Sequence, residues 1–81
     1  MAMEYRDNEV VFSDIVGVED AEVLLAWLQG REGVRADFAA CTHMHPANVQ
    51  VLMAAQVCVA QWPVAAVPLE VALRSAFSTG S

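Results

Sequence analysis

Two histidines and a cysteine, side chains suited to metal binding or nucleophilic chemistry, lie two residues apart between Cys41 and His45. A thiolate and imidazoles are ligands that zinc prefers, but a structural zinc site needs a fourth ligand from a converging element, and none is evident. Covalent catalysis would use Cys41 as nucleophile, a histidine as base and Asp37 as the orienting group. Metal binding lacks a fourth ligand, and catalysis lacks an oxyanion-forming glycine motif. Both uses of Cys41, His43 and His45 are therefore minor hypotheses, and we expect a non-enzyme.

This segment must be positioned by a strand before it and a helix after it. Apolar residues alternate with charged ones from Val34 to Phe38, which predicts a strand with one buried face leading into a polar loop. Pro46 suits the first position of a helix, because its missing N–H costs nothing there, and His45 then occupies the N-cap. The sequence therefore places the candidate residues in a loop that enters a helix.

The rest of the chain alternates between strand and helix patterns. The β-branched run from Glu9 to Val16 predicts a buried strand, and a short strand is predicted over 64–67. Apolar spacing predicts a first helix ending near Gly30 and a last helix opening at Pro68. Each predicted helix has an apolar stripe that should face inward. In the first helix the stripe comprises Ala21, Val23, Leu24, Leu25, Trp27 and Leu28. In the second it comprises Val49, Leu52, Met53 and Val57, and in the last Leu69, Ala72, Leu73, Ala76 and Phe77. Such alternation indicates an α/β fold with a mostly parallel sheet packed with helices.

Length and charge limit the classes of partner. The 81 residues are enough for one small domain, 1–81, and 57% are hydrophobic. The chain has ten carboxylate side chains but only four arginines and no lysine. The resulting net charge of −6 disfavours binding to nucleic acid and to anionic lipid. The acidic residues Glu4, Asp7 and Glu9 predict a solvated arm rather than a signal peptide, and no apolar run is long enough for direct membrane insertion. Two cysteines without a disulfide framework favour reduced thiols in a cytoplasm, and no cofactor is expected.

The run DFAACTHMHPANVQVLM, from Asp37 to Met53, resembles in register the signature of the STAS domain family (sulfate transporter and anti-sigma factor antagonist). That signature reads roughly Asp-Leu-Ser, four or five residues, Asp-Ser-Ser-Gly-Leu and an apolar helix. The resemblance implies a STAS-like α/β fold in a small stand-alone bacterial regulator. It also implies a kinase or anti-sigma-type partner, a histidine-kinase-like regulator that phosphorylates one serine at the helix start.

Carried over by position, Pro46 replaces the phosphorylated serine of the STAS family. His45 replaces the aspartate before it, Ala47 the following serine and Asn48 the glycine. Proline cannot accept phosphate, so the resemblance implies a non-phosphorylatable binding module that keeps the docking geometry. Thr42 is the hydroxyl left in the loop and a displaced candidate phosphosite, although a hydrogen bond to nearby backbone is the simpler interpretation.

The predicted partner-binding surface comprises the loop and the exposed side of the second helix. Its members are His43, Met44, His45, Pro46, Ala47, Asn48 and Val51. The resemblance leaves open an alternative function, that of an accessory subunit of a transporter, for example a lipid-transport ABC complex. The sequence is also compatible with a homodimer. A kinase-type partner would respond to nucleotide, whereas a transporter subunit would purify with membrane components.

Overall fold

The structure, a computed structural model, describes residues 3–64 and 66–78. The strands of this part of the chain are β1 (Met3–Arg6), β2 (Glu9–Val16), β3 (Arg35–Met44) and β4 (Cys58–Gln61). Its helices are α1 (Asp20–Leu28), α2 (Pro46–Ala54) and α3 (Val67–Ser78). Strands and helices alternate from β2 onwards, so the predicted α/β class is confirmed.

The strands form one sheet in the order β1-β2-β3-β4. β2, β3 and β4 are parallel and are connected through α1 and α2, which confirms a mostly parallel sheet. β1 pairs antiparallel with β2 as a hairpin that turns at Asp7 and Asn8. The side chains of Glu4 and Asp7 are exposed, as the prediction of a solvated arm requires, but Glu4 is not part of an arm, because its backbone pairs with Val11 in the sheet.

The core lies between the helices and one face of the sheet. α2 contacts both α1 and α3, and leucines from the three helices pack on the inward side chains of β2 and β3. Residues with no exposed surface include Val10, Phe12, Val16, Leu24, Ala36, Phe38, Leu52 and Leu73. The rings of Phe12 and Phe38 stack with their centroids 5.2 Å apart. This aromatic pair joins the two longest strands at the centre of the domain.

β3 is longer than predicted and contains two irregularities in its pairing with β2. Val11 and Ser13 pair with Asp37 and Ala40, while Asp14 and Ile15 pair with Cys41 and His43, so β3 gains one residue at each place. Such bulges break the simple alternation of a strand. Buried side chains consequently follow Phe38 at intervals of three, at Cys41 and Met44. The predicted polar loop after Phe38 is therefore wrong, because strand structure continues to Met44.

α2 ends earlier than its apolar pattern suggests. Gln56 takes a left-handed conformation (φ 56°), its N–H bonds to Met53 O, and the N–H of Val57 bonds to Leu52 O. These two bonds form a Schellman motif, which usually carries glycine at the left-handed position. Val57 therefore lies beyond the helix, although it is buried as predicted.

The chain runs directly from this helix end into β4 at Cys58–Gln61, so the predicted strand at 64–67 is wrong. Val67 instead opens α3, one residue before the predicted start, and Ala65 lies outside the described residues. Leu73 of α3 is buried as predicted, whereas Ala72 is exposed. The i,i+4 pair of Glu70 and Arg74 is present on the outer side of α3 at 2.8 Å.

The apolar stripes of α1 and α2 are narrower than predicted. In α1, Leu24 and Leu28 are buried, but Val23 and Leu25 are 52% and 46% exposed. Successive helix positions differ by about 100°, so the neighbours of a deeply buried residue cannot both face the sheet. For the same reason Leu52 of α2 is buried while the adjacent Met53 is 36% exposed.

Candidate functional site

The carboxyl ends of β2 and β3 lie side by side, and successive hydrogen bonds join them. The Thr42 hydroxyl donates to Asp14 O at 3.0 Å, and the N–H of His45 donates to Val16 O at 2.9 Å. The side-chain amide of Asn48 then donates to Gly17 O at 2.8 Å. In open α/β sheets, binding sites usually lie at this edge. These bonds hold the two strand ends and the start of α2 as one unit.

His45 caps α2, as the sequence predicts. Its Nδ1 accepts a hydrogen bond from the N–H of Ala47 at 3.0 Å, and Pro46 is the first helical residue. Because an acceptor nitrogen carries no proton, the bond requires Nδ1 of His45 to be deprotonated. Its imidazole thus satisfies a helix N–H that an aspartate or serine commonly satisfies at this position.

Two predicted contact residues lie in the interior. Met44 is 5% exposed and Asn48 has no exposed surface, so both side chains are buried. Met44 points inward because the second irregularity of β3 shifts the phase of the strand. Asn48 faces the β2–α1 loop, and its Oδ1 is buried without a partner in the described part of the chain.

The other predicted contact residues remain at or near the surface. His43, His45 and Pro46 are exposed, while Ala47 and Val51 are half-buried, and Val51 packs against the core. The exposed imidazole of His43 follows the buried Cys41 by two positions in β3.

Exposed residues outside the predicted contact set also lie at the carboxyl ends of these strands. Ile15 is 64% exposed and pairs in register with His43, while Val18 in the β2–α1 loop is 54% exposed. Both are large aliphatic side chains, and the exposed carboxylates of Asp14 and Glu19 precede and follow them along the chain. We call the set Asp14, Ile15, Val18, Glu19, His43 and His45 the carboxyl-edge surface. Ile15 was foreseeable, because Val10 and Phe12 face inward and strict alternation turns residues 11, 13 and 15 outward.

Asp14 takes a left-handed backbone conformation (φ 55°) at the second irregularity. Aspartate is among the few residues that tolerate this region. The conformation lies directly before Ile15, where the strand regains its pairing. Nothing in the strand-like run from Glu9 to Val16 signals it, because the irregularity depends on the extra residue in β3.

The cysteines occupy different environments. Cys41 is 1% exposed and its Sγ contacts His43 O at 3.4 Å, whereas Cys58 is exposed; both are free thiols. Burial raises the pKa of the Cys41 thiol, and the negative charge of Asp14 acts in the same direction. A neutral buried thiol is a poor nucleophile and a poor metal ligand.

Cys41, His43 and His45 do not converge around a common point. Cys41 faces the core, His43 is exposed, and His45 is engaged with Ala47. Among residues 3–64 and 66–78, no group of three histidine, cysteine, aspartate or glutamate side chains is arranged to hold a metal ion. The geometry therefore offers no support to the zinc and thiolate hypotheses.

A shallow groove extends from the carboxyl end of β3 along the seam between α2 and α3. It consists of two adjoining cavities of about 300 Å³ and 220 Å³, which share Met44, Leu69 and Ala72. Thr42, His43 and Pro68 line the first cavity, and Pro46 and Val49 the second. The groove borders the carboxyl-edge surface at His43.

Comparison with known proteins identifies no relative. No protein-family model matches the chain, and no curated protein or solved structure is significantly similar to it. None of the helices in the described ranges combines the length and the apolar character required to cross a bilayer.

Proposed function

We propose that this domain is a protein-binding module that docks a regulatory partner through its carboxyl-edge surface. The observation that carries the proposal is the exposure of Ile15 and Val18 beside the capped start of α2. Large exposed aliphatic side chains grouped with polar ones are typical of contact surfaces. The hydrogen bonds of Thr42, His45 and Asn48 support this role, because a rigid surface loses little entropy on binding.

The partner class follows from the resemblance to the STAS family. That resemblance implies an anti-sigma factor antagonist-like regulator, with a kinase or anti-sigma-type partner, acting in the bacterial cytoplasm. His45 caps α2 and Pro46 begins it, which is consistent with the register assumed for the family's signature. Under this proposal Pro46 makes the module constitutive, since no hydroxyl at the helix start can accept phosphate. The proposal assigns no catalytic step to the domain.

Affinity capture from the native cell tests this function with wild-type protein and two matched variants. Ile15→Asp places a charge on the carboxyl-edge surface, and Val71→Asp places one on α3, where Val71 is also 62% exposed. We expect a soluble ATP-binding regulator to be captured by wild type and Val71→Asp but lost from Ile15→Asp. Capture should also change between ATP and ADP.

Two results would count against the proposal. Capture of membrane transporter subunits regardless of nucleotide would establish the accessory-subunit alternative. Equal capture by all three proteins would place the contact elsewhere. Thermal unfolding of each variant controls for loss of the fold, because both substitutions replace exposed side chains and should leave the midpoint within a few degrees of wild type.

A further inference from the structure

Charge is distributed unevenly between the two ends of the parallel strands. Asp14 and Glu19 lie on the carboxyl-edge surface, and both are exposed. The ion pairs found among the described residues are Arg6 with Glu4 and Arg74 with Glu70. Within residues 3–64 and 66–78, neither Asp14 nor Glu19 forms an ion pair.

The four arginines of the chain are all positioned away from this surface. Arg6 ends β1 and Arg35 begins β3, which places both at the opposite end of the parallel strands. Arg31 donates to Trp27 O and lies 4.3 Å from the centre of the Trp27 ring, near the end of α1. Arg74 bonds to Glu70 and lies 4.4 Å from the centre of the Trp62 ring.

We infer that the segment docking on the carboxyl-edge surface is a cationic protein segment, with an apolar side chain seated against Ile15 and Val18 and arginine or lysine facing Asp14 and Glu19. This inference rests on the proposed function and adds the chemistry of the partner. Covering the two exposed aliphatic side chains would gain free energy, and the two exposed carboxylates directly precede Ile15 and directly follow Val18 in the chain. Opposite charges at such a rim steer encounter and fix orientation.

The same charges disfavour the other occupants of an apolar patch. A second copy would bring its own Asp14 and Glu19 towards these carboxylates, since a two-fold dimer joins identical surfaces. Anionic lipid and nucleic acid are repelled by the same groups and by the net charge of −6. A cationic segment alone both covers Ile15 and Val18 and neutralises the carboxylates.

Binding of designed peptides to the purified domain tests the inference. The probes are two short amphipathic helical peptides with the same leucine positions, one carrying arginine and the other glutamate on its polar face. Backbone amide NMR shifts recorded during titration locate any contact. We expect the arginine peptide to shift Asp14, Ile15, Val18, Glu19, His43 and His45, and the glutamate peptide to leave them unchanged.

Charge-neutralised variants sharpen the test. The double variant Asp14→Asn with Glu19→Gln should bind the arginine peptide about three- to tenfold more weakly than wild type. The affinity of this variant should also depend less on salt concentration. The matched control, Asp7→Asn with Glu32→Gln, removes two exposed carboxylates from the opposite end of the strands and should leave both quantities unchanged. Shifts confined to the β1–β2 hairpin, equal binding of both peptides, or equal weakening by both double variants would each overturn the inference.

The two proposals fail in different ways. If Ile15→Asp loses the native partner while Asp14→Asn with Glu19→Gln retains it at all salt concentrations, the docking surface stands and the cationic partner is refuted. If the native partner binds Ile15→Asp as well as it binds wild type, the proposed function fails, regardless of the result with the peptides.

Discussion

The side-chain amide of Asn48, at the start of α2, donates a hydrogen bond to the carbonyl oxygen of Gly17, in the loop that leaves β2. The two residues are 31 positions apart in the chain and their polar atoms are 2.8 Å apart. The N–H of Gly17 bonds in turn to the carboxylate of Asp20 at 3.0 Å, so one residue links the starts of α1 and α2. Asn48 is thus a structural residue of the site, buried beneath the surface that a partner would touch.

Replacement of Asn48 should destabilise the domain. Asn48→Ala removes the bond to Gly17 and leaves a small void, and we expect the free energy of unfolding to fall by about 1–3 kcal/mol. Urea unfolding monitored by circular dichroism measures the change. Gln50→Ala is the control, because Gln50 is exposed on the same helix and should cost less than about 0.5 kcal/mol. Equal effects from the two variants would contradict the buried position of Asn48.

The cap at His45 can be tested by a pair of substitutions. His45→Ala leaves the N–H of Ala47 without its acceptor and should lower the free energy of unfolding by about 0.5–2 kcal/mol. His45→Asp supplies another acceptor and a negative charge at the positive end of the helix, so it should retain most of the stability. Denaturation at neutral pH compares them. An aspartate variant as unstable as the alanine variant would show that capping is not the role of His45.

The inward face of α2 predicts unequal costs at adjacent positions. Leu52 has no exposed surface, and Leu52→Ala should cost about 2–5 kcal/mol, a large part of the stability of so small a domain. Met53→Ala removes a side chain that is 36% exposed and should cost much less. Unfolding midpoints of the two variants provide the measurement, and similar values would mean that the face of α2 is assigned wrongly.

The cysteines should react at different rates with a thiol reagent. Cys58 is exposed and should be labelled promptly at neutral pH. Cys41 should be labelled only when the protein unfolds, because it is buried and burial raises the pKa of its thiol. Labelling followed by mass spectrometry, with Cys58→Ser as control, distinguishes the two sites. Rapid labelling of the folded Cys58→Ser variant would contradict the buried position of Cys41.

Because burial raises the pKa of the Cys41 thiol, the contribution of Cys41 to the free energy of unfolding depends on pH. Its thiol ionises at lower pH in the unfolded chain than in the folded one, so the folded state holds the proton more strongly. That contribution is therefore complete below the ordinary thiol pKa and is lost as pH rises through the raised value. In a Cys58→Ser background, urea unfolding across this alkaline range should show a steeper loss with Cys41 present than with Cys41→Ala. Parallel curves would refute the linkage.

Sequence patterns were sufficient where one local signal decided the structure. The β-branched run from Glu9 to Val16 gave a strand with the predicted bounds. Proline after a capping histidine correctly located the start of α2. In each case the local preference agrees with the tertiary structure, and the prediction needs no knowledge of distant residues.

The failures have a common physical cause, which is that a distant partner determines the conformation. The extra residues in β3 exist only relative to β2, so no local pattern shows that Met44 turns inward. Asn48 is buried because Gly17, far away in sequence, offers an acceptor. The turn after α2 has a left-handed Gln56 instead of the glycine that usually signals a helix end, so the sequence pattern places the next strand at 64–67 rather than at Cys58–Gln61.

The first irregularity of β3 gives the middle of this strand room for a change in length. Between the paired residues Asp37 and Ala40, β3 has two residues where β2 has only Phe12. Removing Ala39 would leave a single residue opposite Phe12, so the two strands could pair regularly while Phe38, Cys41 and Met44 kept their inward orientation. A one-residue deletion at this place should therefore cost less than one at Ala36, where β3 has no extra residue and the loss would turn the following side chains to the other face of the sheet.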